Sequence, residues 1–119
     1  MSKLAKMTSV DIVYNVAGKD MFHREAKKAL KSLAEKLGLS KSDYDLRSNK
    51  AGPAVSGEVT LHTDKIYVQI SGGMFSDKLS VMYRTCKGRK DYSGGSNNFT
   101  SVEEMEKSSF AEKLKTMAA

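Results

Sequence analysis

Residues 55–70 read VSGEVTLHTDKIYVQI, and this stretch decides the fold class. Apolar residues occupy every second position on both sides of a Thr63-Asp64 turn, with Val59 and Leu61 before it and Val68 after it. Two alternating runs joined by a tight turn are typical of an antiparallel hairpin that is buried on one face only. The stretch therefore predicts two neighbouring strands of an antiparallel sheet.

Two further segments share this alternation. Residues 10–16 (VDIVYNV) and 79–84 (LSVMYR) are rich in β-branched and aromatic residues, and each predicts one more strand. Residues 47–53 and 87–99 are rich in Gly, Asn and Ser, and they predict loops.

Two helices complete the predicted fold. Asp20 is a suitable N-cap, and Gly38 a suitable C-cap, for a helix with an apolar stripe at three- and four-residue spacing. The stripe consists of Phe22, Ala26, Ala29, Leu30, Leu33 and Leu37. The capping-box pattern Thr100-Ser101-Val102-Glu103 predicts the start of a final helix, and residues 40–43 predict a short helical turn.

The expected architecture is α+β, with two helices on one face of a four-stranded antiparallel sheet in the order β-α-β-β-β-α. A chain of 119 residues with 39% hydrophobic residues has room for one domain. We expect residues 1–8 to form a flexible tail and residues 9–119 to form the domain.

Several functional classes lack support in the sequence. Cys86 is the single cysteine, which excludes an intrachain disulfide and a cysteine-based zinc site. His23 and His62 are not grouped with a nucleophile, and the Gly-Gly pairs lack the spacing of a phosphate-binding P-loop. We therefore expect a protein that is not an enzyme and has no cofactor or metal. The N-terminus lacks the apolar core of a secretory signal, which predicts a cytoplasmic protein with no membrane span.

The net charge of +6 and the pI near 9.4 favour a polyanionic partner. Arginine grips phosphate, asparagine reads base edges and tyrosine offers a stacking face. The two predicted loops concentrate these residue types, so they are the candidate binding surface. Its candidate residues are Arg47, Asn49, Lys50, Arg84, Lys87, Arg89, Lys90, Tyr92, Asn97 and Asn98.

The solvated face of the sheet would extend this surface, with His62 and Arg84 exposed on it. Cys86 has two basic neighbours that would favour its thiolate, although a small residue filling a strand end is the simpler interpretation. If the basic residues serve only binding, replacing Arg84, Arg89 and Lys90 by alanine should leave the melting temperature nearly unchanged.

The segments around residues 47–50 and 56–62, the run Gly88–Tyr92, and the pairs Gly94-Gly95 and Asn97-Asn98 resemble small accessory proteins of tailed bacteriophages that have no assigned activity. The resemblance covers residues 9–99. It implies a phage product that acts in the cytoplasm of an infected bacterium by binding a host or phage macromolecule.

The predicted order from residue 20 onward is also similar to that of double-stranded-RNA-binding domains. Their last helix begins with a basic Lys-Lys-x-x-Lys-type pattern, whereas Thr100–Glu106 is acidic here. This difference argues against their mode of binding.

Three functions follow as hypotheses. The first is a binding module for nucleic acid or a nucleotide. The second is an inhibitor that binds a bacterial host or defence protein, and the third is a virion or assembly component. An unpaired sheet edge would also allow a homodimer.

Overall fold

The computed structural model describes residues 3–8, 16–49, 57–72, 78–89, 91 and 94–118. In this part of the chain, five antiparallel strands form one sheet whose order follows the sequence. The strands are β1 (Tyr44–Asn49), β2 (Glu58–Thr63), β3 (Ile66–Gly72), β4 (Leu79–Thr85) and β5 (Asn98–Ser101). The predicted α+β class and antiparallel sheet are confirmed, whereas the predicted number of four strands is wrong.

The β2–β3 hairpin forms as the alternation predicts. Leu61 lies opposite Val68, and both side chains are fully buried. The Thr63 hydroxyl closes the turn by accepting hydrogen bonds from the backbone N–H groups of Lys65 (3.1 Å) and Ile66 (2.9 Å). This local side-chain bond gives the turn its own stability, independent of the core.

Two strands, β1 and β5, lie where the sequence predicts loops or no regular structure. Arg47, Ser48 and Asn49 are in β1, and Asn98 and Phe99 are in β5. Their polar residues have low strand propensity, but β1 pairs along its full length with β2, and β5 pairs with β4. Pairing with a neighbouring strand outweighs the intrinsic strand propensity of a residue. Local sequence patterns therefore did not predict β1 and β5.

The long helix α2 (Val16–Lys36) starts earlier than predicted, so Gly18 and the expected N-cap Asp20 lie inside it. A glycine in a helix costs only about 1 kcal/mol, which the packing of a 21-residue helix can offset. The predicted strand over residues 10–16 lies outside the described residues except for Val16, which is helical.

The C-terminal end of α2 matches the prediction. Gly38 adopts a positive φ of 75°, and the N–H of Leu39 donates to the carbonyl of Ala34 while that of Gly38 donates to Glu35. This pair of bonds is the Schellman motif. The predicted stripe is also confirmed, since Phe22, Ala26, Leu30 and Leu33 are buried.

The predicted final helix is two helices, α3 (Val102–Met105) and α4 (Ser108–Ala118). The N-cap is Ser101, whose hydroxyl accepts from the N–H of Glu104 at 3.1 Å. The cap is thus one residue later than the predicted Thr100, and both Thr100 and Ser101 pair with β4 in the sheet.

The N-terminal segment, predicted as a flexible tail, contains the short helix α1 (Lys3–Lys6). Leu4 and Met7 are buried in the core, so their apolar side chains hold this segment to the domain. The core lies between the helices and one face of the sheet, where Tyr83 of β4 contacts the edge of Phe110 of α4 at 5.0 Å between ring centroids.

Candidate nucleic-acid interface

The face of the sheet opposite the helices carries a row of side chains that crosses all five strands. Residues directly opposite each other on paired strands point to the same face. The register pairs Arg47 with Thr60, Thr60 with Gln69, Gln69 with Met82 and Met82 with Phe99. We call this set the outer row.

Phe99 ends the outer row and is the most exposed large apolar side chain among the described residues. It is 68% exposed, while the other exposed large apolar side chain, Met21 on α2, is 36% exposed. Exposed aromatic rings on a sheet are a common feature of surfaces that stack bases. Phe99 was not among the candidate residues, although an aromatic residue flanked by polar residues indicates an exposed ring.

A second row, Asp45–His62–Tyr67–Arg84, lies beside the outer row. It was expected to face solvent, but His62 is fully buried and Arg84 is only 7% exposed. The guanidinium carbon of Arg84 lies 4.4 Å from the centroid of the Tyr67 ring, and the His62 ring meets Tyr67 edge-on at 5.0 Å. Arg84 is therefore a packed cation–π residue, and the expectation that it is exposed is wrong. Its assignment as a ligand-binding residue stays a prediction.

The described residues 86–89, 91 and 94–97 form the segment after β4, and Arg89 of this segment contacts the second row through Asp45. The Nε atom of Arg89 lies 3.2 Å from Oδ1 of Asp64, its Nη1 atom lies 3.8 Å from Oδ1 of Asp45, and its Nη2 atom donates to the carbonyl of Ser42. The Arg89 carbonyl in turn accepts from Arg47 Nη2 at 3.5 Å. The charge of Arg89 is thus used within the fold, which leaves less of it for a ligand than the sequence suggested.

Two further hydrogen bonds involve described residues of this segment. The N–H of Lys87 donates to Oδ2 of Asp91 at 2.9 Å, and the N–H of Gly95 donates to the carbonyl of Thr85 at 3.0 Å. The Lys87 side chain remains exposed. Of the two described cations in the predicted 87–99 loop, Lys87 is therefore the more exposed, since Arg89 is engaged with the sheet.

Cys86 lies in this segment with its Sγ donating to the carbonyl of Thr63 at 3.3 Å. Burial raises the pKa of the Cys86 thiol, and the nearby Asp91 carboxylate acts in the same direction. These effects outweigh the guanidinium of Arg84, so the thiol stays protonated at neutral pH. The expectation that basic neighbours favour the thiolate is not met.

Arg47 and Asn49 are brought together on the outer face of β1. With Glu58, Thr60 and Tyr67 they line a pocket of about 230 Å³. Arg47 keeps much of its side chain exposed while pairing with Asp45 at 3.1 Å. The pocket offers guanidinium, amide, carboxylate and hydroxyl groups in a space that suits one small planar group.

The remaining candidate residues divide into three cases. Asn97 is exposed. Asn98 uses its amide within the fold, donating to the carbonyls of Tyr83 at 3.4 Å and Ser96 at 3.1 Å. Lys50, Lys90 and Tyr92 lie outside the described residues.

No protein-family model, curated protein or solved structure matches the chain. Within the described ranges, no helix is long and apolar enough to cross a membrane. The same residues contain no cluster of three or more His, Cys, Asp or Glu that could hold a metal ion. The functional proposal therefore rests on the geometry of the outer face.

Proposed function

We propose that this protein binds single-stranded nucleic acid on the outer face of its sheet. The observation that carries the proposal is the outer row, which places the exposed Phe99 ring in line with Met82, Gln69 and Arg47. The net charge of +6 supplies the general attraction for phosphates.

Single strands fit this surface better than a duplex. Their bases are unstacked and can lie on an aromatic ring, whereas duplex bases are hidden from it. Phe99 offers a ring for one base, and the polarizable Met82 beside it extends that platform. The pocket between Arg47 and Glu58 takes a neighbouring base and contacts its polar edge.

This proposal moves the binding surface from the basic loop to the sheet. Arg84 and Arg89 are engaged inside the fold, so the residues that contact the ligand are Phe99, Met82, Gln69, Arg47 and Asn49, with Lys87 and Asn97 at the margin. A phage accessory role in an infected cell is compatible with this activity and remains part of the proposal.

Phe99→Ala tests the proposal directly. Removing one stacked base costs about 1–3 kcal/mol, so affinity for labelled single-stranded DNA or RNA should fall about 5- to 150-fold. Fluorescence anisotropy at about 50 mM salt, where phosphate contacts are strong, measures this. The melting temperature should barely change, because the ring is 68% exposed.

Met21→Ala is the matched control, since Met21 is an exposed apolar residue on α2, away from the sheet face. It should bind like the wild type. Equal affinities of Phe99→Ala and Met21→Ala would contradict the proposal, as would absence of binding to every oligonucleotide. In the latter case, capture of a specific bacterial protein that survives nuclease treatment would favour the inhibitor hypothesis.

A further inference from the structure

A second basic surface lies between α2 and β1. It is on the helix side of β1, whereas the pocket lined by Arg47 and Asn49 is on the outer face. It is a cleft of about 380 Å³ lined by Asp20, His23, Arg24, Lys27, Lys28 and Ser48. We call it the α2 groove. Five of its residues come from α2 at positions that repeat every three or four residues, so they form one stripe along two turns of the helix.

Cations dominate the α2 groove. Arg24, Lys27 and Lys28 face one lining carboxylate, Asp20, and Lys28 also lies 3.7 Å from Glu25. Within the described ranges, neither Arg24 nor Lys27 has an ion-pair partner. Like charges at three- and four-residue spacing disfavour a helix, so their concentration here is explained better by an anionic ligand than by helix stability.

The wall of the α2 groove is built into the core. His23 is only 2% exposed, and its Nδ1 atom lies 2.7 Å from the Ser48 hydroxyl oxygen. This contact joins the helix to β1, one of the two edge strands of the described sheet. It therefore holds the cations of α2 at a set position relative to β1.

Strand alternation connects the α2 groove with the outer face. Ser48 points toward the helix, while its neighbours Arg47 and Asn49 line the outer pocket. Adjacent residues of a strand are only about 3.3 Å apart along its axis. Because β1 is an edge strand of the described sheet, a ligand chain in the outer pocket can pass around β1 to reach the groove.

We infer that the α2 groove binds phosphate groups of the nucleic-acid backbone, where the strand continues from the outer face over β1. This inference rests on the proposed function and adds a path for the ligand. Arg24 offers paired donors to a phosphate, while Lys27 and Lys28 add charge. The ligand class is a phosphodiester chain rather than a free base, because the groove offers no exposed aromatic ring among its described lining.

The test compares Lys27→Ala/Lys28→Ala with Lys41→Ala/Lys65→Ala. The control removes the same charge from exposed lysines near the other end of β1, where Tyr44 pairs with Thr63. Each single-strand phosphate contact contributes about 0.7 to the slope of log affinity against log salt. With an oligonucleotide of about twelve nucleotides, within the range that single-strand binding surfaces cover, the groove variant should lose about 1.4 of that slope.

The control should keep the wild-type slope, and Phe99→Ala should lower affinity with little change in slope. With an oligonucleotide of about four nucleotides, the lower end of single-strand site sizes, the groove variant should lose less of the slope than it does with the longer one. Equal slopes for the groove variant and its control on the long oligonucleotide would overturn the inference while leaving the proposed function intact.

A titration with inorganic tripolyphosphate separates the two proposals if no oligonucleotide binds. Amide NMR signals of residues 24–28 and Ser48 should then shift in the wild type and stay in place in Lys27→Ala/Lys28→Ala. Such shifts would support a phosphate site in the groove even though the proposed function had failed. The absence of shifts in the wild type would overturn the site.

Discussion

At the scale of single residues, Arg84 shows how burial changes the use of a positive charge. Its guanidinium lies over the Tyr67 ring, and the whole residue is only 7% exposed. Arg84→Ala should destabilise the fold by about 1–3 kcal/mol, since a desolvated cation–π contact and stem packing are both lost. Urea denaturation measures this difference.

Arg84→Met separates the two contributions. It keeps most of the stem volume and removes the charge, so its loss should be smaller than that of Arg84→Ala. The exposed neighbour Lys87 is the control, and Lys87→Ala should change stability by no more than about 0.5 kcal/mol. An Arg84→Ala protein as stable as the wild type would instead agree with the expectation from sequence that the basic residues can be replaced without loss of stability.

Gly94 lies so close to the backbone of Thr85 and Cys86 that a side chain at this position has no space. A Cβ atom at Gly94 would overlap the carbonyl oxygen of Thr85 and lie 3.1 Å from the Cα atom of Cys86. Backbone atoms cannot rotate away, so Gly94→Ala should cost about 1–3 kcal/mol through overpacking. Gly88→Ala is the matched control, because a Cβ atom there has open space. Gly94→Ala should have the lower melting temperature of the two variants. Equal melting temperatures would contradict this interpretation of Gly94.

At the scale of elements, the junction between β5 and α3 depends on one hydroxyl. Ser101 caps α3 by accepting from the N–H of Glu104, so Ser101→Ala should cost about 1 kcal/mol. Ser101→Asp should retain most of the stability, because a carboxylate also caps a helix. Thr100→Val should have a smaller effect than Ser101→Ala in the same denaturation assay. The reverse order would place the cap at Thr100, where the sequence pattern first suggested it.

At the scale of the whole molecule, stability should depend on pH through His62. Burial lowers the pKa of His62 below its ordinary value of 6.5 and outweighs the hydrogen bond with the Gly88 backbone, which raises it. The Arg47 and Arg84 guanidinium groups also lower this pKa. The unfolded chain therefore binds the proton more readily than the folded protein. Stability should be complete above about pH 6.5 and decline as the pH falls below it, by at most about 1.4 kcal/mol per pH unit.

Urea denaturation at pH 7.5, 6.5 and 5.5 measures this dependence. His62→Gln cannot titrate, so its stability should vary less over the same interval, whatever its absolute value. A parallel decline in both proteins would assign the pH dependence to other groups.

Much of the architecture followed from short-range patterns. The β2–β3 hairpin, strand β4, the apolar stripe of α2 and its glycine cap are each encoded within one turn or one run of alternating residues. These patterns reflect local backbone geometry and the need to bury one face. They can therefore be recognised without knowledge of what packs against them.

Only the tertiary structure decided the rest. Strands β1 and β5 form because neighbouring strands supply hydrogen-bond partners. His62 and Arg84 are buried by tertiary packing, and Arg89 pairs with Asp64, which is distant along the chain. Likewise, the outer row and the α2 groove join residues that are far apart along the chain. Contacts between distant segments depend on pairing register and loop placement, which local propensity does not determine.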